Sequence, residues 1–244
     1  MNAIEINALR KEYKDVVAVD DLSLTVREGE IFSLLGVNGA GKTTTIKMLA
    51  GLTLPTSGDA LIFGHSIRTD ADKIKGLLDI SMQETAIARK LTVEENIDFY
   101  AALNGMSESE IAEAKAYCYR SLGLDKVANK RAAKLSGGWQ RKLSIALALV
   151  TRPKLLFLDE PTLGLDVLAR RDLWQVISSV KGNMTIILTT HYMEEAEALS
   201  DRIGIMSEGK LLFVGTKDEL YAATQKQNVE EAFIEVVSGG RKHA

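Results

Sequence analysis

Cysteine is nearly absent: Cys118 is the only one in 244 residues. No disulfide can close within the chain, which fits a reducing compartment, and Cys118 itself reads as a small core residue of a helix. Proline occurs three times. With so few breakers and 46% hydrophobic residues, no long disordered stretch is expected. A basic surplus is missing too, since 30 Lys and Arg face 33 Asp and Glu for a net charge of −3. Nucleic-acid binders carry such a surplus, so no nucleic-acid partner is expected, and Arg170 and Arg171 read as a solvated helix face. No run reaches the roughly 18 apolar residues that a membrane span needs. The best candidate, 143–150, has the length of a core helix. The opening Met-Asn-Ala-Ile-Glu-Ile-Asn lacks the basic-then-apolar order of a secretory leader. A membrane role would therefore call for a partner chain.

What is present is a regular alternation of short elements. Residues 4–9 and 22–26 alternate apolar and polar, as half-buried strands do. Short apolar runs at 31–35, broken only by Ser33, and at 155–158 are consistent with strands buried on both faces. Further strands are predicted at 60–63, 79–82 and 185–190, and a hairpin at 203–206 and 210–214 turns through Ser207-Glu208-Gly209. Helices are predicted at 42–50, 70–78, 166–180, 193–199 and 217–237, with a mobile tail from Gly239. The stretch 92–151 is helical throughout. Two capping boxes open helices there, Thr92 with Glu95 and Ser107 with Glu110, and Ser136 stands as the N-cap of a third. Strands alternating with helices predict an α/β fold around a mainly parallel sheet, with the helical block inserted between its two halves.

Residues 36–43, Gly-Val-Asn-Gly-Ala-Gly-Lys-Thr, follow an apolar strand and open a helix. Glycines there let successive backbone N–H groups turn inward, and the helix adds the positive end of its dipole. Such a loop cradles a triphosphate. Lys42 brings a full charge to the β- and γ-phosphates, and the Thr43 hydroxyl suits Mg²⁺. Gly36, Val37, Asn38, Gly39, Ala40, Gly41 and Thr44 complete the candidate cradle.

The strand at 155–158 ends in Asp159-Glu160. Ligands of α/β sheets sit beyond the carboxyl ends of strands. Asp159 is therefore a candidate for Mg²⁺, directly or through water, and Glu160 for polarising a water that attacks the γ-phosphate. Two acids after a strand are common; the phosphate loop is what gives these two their meaning.

Leu135-Ser136-Gly137-Gly138-Trp139-Gln140 stands shortly before that acidic strand. It closely resembles the signature motif of ABC ATPases. Gln83, after a strand and before the helical block, resembles their Q-loop glutamine. Gly164-Leu165-Asp166 resembles the D-loop, His191 the switch histidine, and Tyr13 the aromatic residue that stacks on adenine. Taken singly these would be a surface Gln, a helix-capping Asp and an ordinary His and Tyr. Their order is what carries the resemblance, which covers about residues 2–220. Leu91 to Asn96, Thr190 to Glu197 and Glu230 to Glu235 further resemble the bacterial drug- and antibiotic-exporter subunits. Trp139 departs from the pattern, since many members carry Gln there.

The resemblance implies a P-loop NTPase fold of the RecA-like kind, with an antiparallel β subdomain and an inserted helical subdomain at about 84–151. It implies one ATPase domain at 1–220 and a short extension at 221–244. It implies two such subunits, an identical pair being the expectation, joined head to tail with ATP in the interface. The loop at Lys42 would face Ser136, Gly137 and Gly138 of the other subunit. Thr43, Gln83 and Asp159 would arrange Mg²⁺, Glu160 and His191 would serve hydrolysis, and Asp166 would lie at the interface. A separate multi-span permease would hold the pair at the cytoplasmic face of the membrane. A soluble ABC ATPase acting on ribosomes or nucleic acid is the competing expectation. It fits less well, because only about 90 residues separate Lys42 from Ser136 and the chain has one set of motifs.

Overall fold

The computed structural model describes residues 1–240. Two long strands open the chain, β1 (Asn2–Tyr13) and β2 (Val16–Arg27). Both outrun the segments predicted from alternation. The reason is a break in parity: β1 buries Ile4 and Ile6, then Leu9. Register shifts between Ile6 and Leu9, and again between Leu9 and Lys11, move the buried face by one residue. A strict period of two ends where a bulge begins, although the strand continues.

β3 (Ile31–Leu35), buried at all five positions, leads into α1 (Lys42–Leu49). β4 (Ser57–Ile62) and β5 (His65–Ser66) return to the first hairpin and complete an antiparallel sheet of order β2-β1-β4-β5. The helix predicted at 70–78 is a single turn or so, α2 (Ala71–Lys75), because Gly76 ends it and β6 (Leu78–Ser81) begins at once.

Three helices then separate β6 from the next strand: α3 (Val93–Leu103), α4 (Glu108–Leu122) and α5 (Gly137–Val150). Both predicted capping boxes are formed, at Thr92 with Glu95 and at Ser107 with Glu110. The three helices bury Val93, Ile97, Ala101, Ala114, Cys118 and Leu122 against the inner face of α5. Cys118 is fully buried there, and burial pushes its thiol up to about 12.

β7 (Leu155–Asp159), α6 (Val167–Ser179), β8 (Thr185–Thr190), α7 (Met193–Leu199), β9 (Arg202–Ser207) and β10 (Lys210–Gly215) finish the second sheet, of order β10-β9-β3-β8-β7-β6. Every neighbouring pair in it is parallel except β10 on β9. The fold is thus α/β with a mainly parallel core, an antiparallel sheet beside it and a helical insertion. The parallel strands all deliver their carboxyl ends to one edge, and the phosphate-loop sequence lies there.

The helix predicted at 217–237 is two helices, α8 (Lys217–Thr224) and α9 (Val229–Gly240). Gln225 interrupts them in the left-handed conformation, with φ at 58°. α9 seats Val229, Ala232 and Phe233 against Leu35, Ile203 and Ile205. The tail expected from Gly239 lies for the most part outside the described residues; Gly239 and Gly240 are the last residues of α9. Among the described residues no helix is long and apolar enough to cross a membrane.

Candidate nucleotide site

The loop between β3 and α1 is shaped by two glycines. Gly41, the residue before α1, has φ at 104°, and a Cβ there would stand 2.4 Å from the Ala18 carbonyl. A Cβ on Gly36 would stand 2.4 Å from the Met206 carbonyl. Neither position admits a side chain without moving backbone. Gly41 also brings no side-chain cap to α1, so the first amides of the helix remain available to a ligand.

Lys42 is buried, at 5% exposure, with its ammonium curled over the loop. Nζ donates to the carbonyls of Gly36 at 2.7 Å and Val37 at 3.3 Å, and stands 3.3 Å from Glu160 Oε1. The Thr43 hydroxyl donates to both carboxylate oxygens of Asp159 at 3.1 Å. His191 Nδ1 meets Glu160 Oε2 at 2.7 Å. An ionised carboxylate only accepts, so the ring donates from Nδ1. The ends of β3, β7 and β8 thus place a cation, a hydroxyl, two carboxylates and an imidazole together, although the end of β3 lies more than a hundred residues from the other two in sequence.

A cleft of about 640 Å³ opens over this group. It is lined by Tyr13, Asn38, Gly39, Ala40, Gly41, Lys42, Thr43, Thr44, Gln83 and Glu160. Tyr13 stands at the β1–β2 turn, half exposed, with Lys11 Nζ 4.9 Å from the ring centre. A larger hollow of about 800 Å³ lies elsewhere, around Glu28, Phe63, Lys154 and Asn183, away from all of these groups.

Four of the predicted residues stand apart from the cleft. Ser136 and Gly137 are exposed and Gly138 is half-buried at the start of α5. Ser136 occupies the N-cap position as predicted, but its side chain makes no capping bond. Asp166 caps α6, accepting from the amides of Leu168 and Ala169 at 3.0 Å. Trp139 packs onto the helical core with Lys142 Nζ 4.9 Å over its ring, so the departure from the motif serves local packing.

The ABC transporter family profile matches residues 19–163, more than half of the chain. This chain belongs to the ABC transporter family. It is an ATP-binding chain of that family and an ATPase. Over 217 residues it is 45% identical to the human phospholipid-transporting ATPase ABCA3, covering 87% of this chain and 13% of that protein. Over 240 residues it is 39% identical to YbhF of Escherichia coli, named a probable multidrug ABC transporter ATP-binding protein, covering 96% of this chain and 41% of that one. The dimeric structure of MJ0796, a bacterial ABC transporter cassette, superposes with a TM-score of 0.78 at 25% identity, covering 87% of this chain and 98% of that one. The chain spans less than half the length of these curated relatives.

A divalent ion fits what this ABC chain offers at the phosphate loop. Among the described residues no cluster of three or more His, Cys, Asp or Glu could hold a metal alone. Thr43 and Asp159 supply one hydroxyl and one carboxylate. That is the sparse protein share typical of Mg²⁺, whose other ligands are phosphate oxygens and water.

The structure also brings in residues that the sequence did not single out. Thr189 is fully buried; its hydroxyl donates to Asp159 Oδ1 in a short bond and accepts the Glu160 amide at 3.1 Å. Arg141 is buried behind the two acids and donates to the Asp159 and Pro161 carbonyls, both at 2.8 Å. Asn96, also buried, accepts from the Ala88 amide at 2.8 Å and donates to the carbonyls of Ala88 and Thr92, fixing the far end of the loop that carries Gln83. Glu195 is buried with its Oε1 on the Trp174 indole N–H at 3.0 Å; burial raises its carboxyl above the usual range. A buried Arg, Thr or Asn has no sequence signature of its own. Only the spacing within the loop motifs could have hinted at them.

Proposed function

We propose that this chain couples ATP hydrolysis to transport by a separate membrane permease, as one half of a head-to-tail pair. The observation that carries the reading is the set of direct contacts at the sheet edge, Thr43 on Asp159 and both Lys42 and His191 on Glu160, with Lys42, Thr43 and Glu160 facing the cleft. In this reading Tyr13 stacks on the adenine. Asn38 to Thr44 and Lys42 hold the phosphates, the carbonyls of Gly36 and Val37 steering Lys42 until it meets them. Thr43, Asp159 and Gln83 would hold Mg²⁺ and its waters, and the ion would neutralise charge that develops on the phosphates.

Glu160 polarises the attacking water, whose oxygen bonds to the γ-phosphorus as the bond to ADP breaks. His191, anchored to Glu160 through Nδ1, reaches toward the γ-phosphate. Ser136, Gly137 and Gly138 stay outside their own cleft, the first two exposed and Gly138 half-buried, as residues serving the other subunit's ATP would. Asp166, at the start of α6, belongs to the same interface. Residues 1–220 act as the ATPase domain, with the helical insertion at 84–151 facing the permease and 221–244 as an extension. Export of a drug-like or other small molecule is the favoured direction, supported by the multidrug and phospholipid names of the two relatives.

Replacing Glu160 by Gln tests the reading. The variant should bind ATP, hydrolyse it at least about 100-fold more slowly, and collect as a dimer in size-exclusion chromatography with ATP. Wild-type turnover by the variant would remove Glu160 from the chemistry. Isolation of the tagged chain from detergent-solubilised membranes should bring down a multi-span protein. Ribosomal proteins or nucleic acid in its place would favour a soluble ABC ATPase.

A further inference from the structure

Arg141 is 4% exposed, yet no carboxylate pairs with it among the described residues. Its guanidinium donates only to backbone carbonyls. Nε reaches Pro161 at 2.8 Å and Nη2 reaches Asp159 at 2.8 Å. Nη1 reaches Met82 at 2.5 Å and Gln83 at 3.2 Å. Those four carbonyls belong to two segments that share no strand pairing at that point. One flanks Glu160 on both sides; the other is the loop that carries Gln83. The arginine grows from the second turn of α5, five residues after Ser136.

The segment it grips is under strain. Glu160 has φ at 48°, in the left-handed region that a side chain with a Cβ disfavours. Carbonyls that bracket such a residue need fixed partners, or the backbone relaxes and the carboxylate swings away. A planar guanidinium with five donors in a rigid fork can satisfy two separated segments at once; a lysine ammonium, one point charge on a flexible stem, cannot. Burying that charge is costly. Desolvation pulls the Arg141 side chain down to about 10, while Asp159, Glu195 and Glu160 pull the other way. A group placed at that cost only to satisfy carbonyls has a positional duty that a neutral side chain would not meet.

We propose that Arg141 is a positioning residue for ATP hydrolysis: it locks the strained backbone at Glu160 and the Gln83 loop to the signature helix α5 as one unit. ATP binding through the phosphate loop does not pass through it. Hydrolysis does, because Glu160 and Gln83 keep their geometry only while the fork is in place. The proposal rests on the role assigned to Glu160 above.

Arg141→Met and Arg141→Lys, made in the full chain, provide the test. For Arg141→Met, kcat for ATP should fall about 100-fold, the loss that a misplacement near 1 Å brings, with KM within about threefold. Arg141→Lys should lie between Met and wild type. Amide hydrogen exchange in the nucleotide-free protein should quicken at 82–84 and 159–162, and remain unchanged in α1. If Arg141→Met does not fold, Arg141→Lys decides. Wild-type kcat together with wild-type exchange in either folded variant would overturn the proposal. So would a rise in KM that matches the fall in kcat/KM, since that would make Arg141 a part of ATP binding. Should exchange quicken at both segments while Glu160→Gln retains full turnover, the lock stands and the role given to Glu160 falls.

Discussion

At the scale of single residues, the chemistry depends on who holds the acids. Asp159 and Glu160 are neighbours in sequence but need different orientations, one toward Thr43 and the other toward Lys42 and His191. Thr189 on the adjacent strand supports both, through one hydroxyl that donates to Asp159 and accepts from the Glu160 amide. Thr189→Val keeps the shape and removes the hydroxyl. Asp159 would lose a buried donor, a loss of about 1–3 kcal/mol in stability, readable by urea unfolding. The same change should lower kcat about tenfold through misplaced carboxylates, while Thr189→Ser, which retains the hydroxyl, should remain near wild type. Equal turnover in the Val and wild-type chains would show that the two acids hold themselves. The acids, Lys42, Thr43 and His191 were legible in the sequence because loop glycines and strand ends mark them. Thr189 and Arg141 were not. Their side chains serve the backbone of residues far away in sequence, and nothing in their own neighbourhood records that.

Elements were legible where periodicity and caps agree. β3, β7 and β8 are buried on both faces; apolar runs gave the first two away and β-branched residues the third. Both capping boxes formed because hydroxyl and glutamate satisfy each other locally, without tertiary help. Elements failed where a conformation left no composition mark. The bulges that shift β1 against β2 broke the alternation used to find those strands. The break between α8 and α9 falls at Gln225, with no Gly or Pro, so the helical spacing on either side read as one helix. The left-handed conformation costs a non-glycine residue about 1–2 kcal/mol, and glycine in its place costs about 0.5–1 kcal/mol more unfolded-chain entropy. Gln225→Gly should therefore stabilise the chain by about 0.5 kcal/mol. A lower urea midpoint instead would mean that the Gln225 side-chain bond to the Ala222 carbonyl, at 2.8 Å, outweighs the backbone strain.

For the whole molecule, the separation of the two candidate half-sites is the decisive feature. The cleft over Lys42 is lined without Ser136, Gly137 or Gly138, and those three lie at the start of α5, with Ser136 and Gly137 exposed. In the proposed reading a single chain carries two incomplete halves, and a closed two-fold pair would complete both at once. The arrangement makes a prediction that no single-chain enzyme shares. A Lys42→Ala chain keeps its signature and loses its phosphate loop; a Ser136→Arg chain keeps the loop and blocks the signature. Each alone should be inactive. Mixed in equal amounts, about half of the pairs would be hybrids, and each hybrid has one intact composite site and one doubly damaged site. If the two sites act independently, the mixture should recover about a quarter of the wild-type turnover. Specific activity should also rise with protein concentration, because pairing precedes hydrolysis. A mixture as silent as its components, with both variants folded, would mean either that each chain works alone or that one intact site cannot fire without the other. The concentration series separates the two: only the second keeps wild-type activity per chain dependent on concentration.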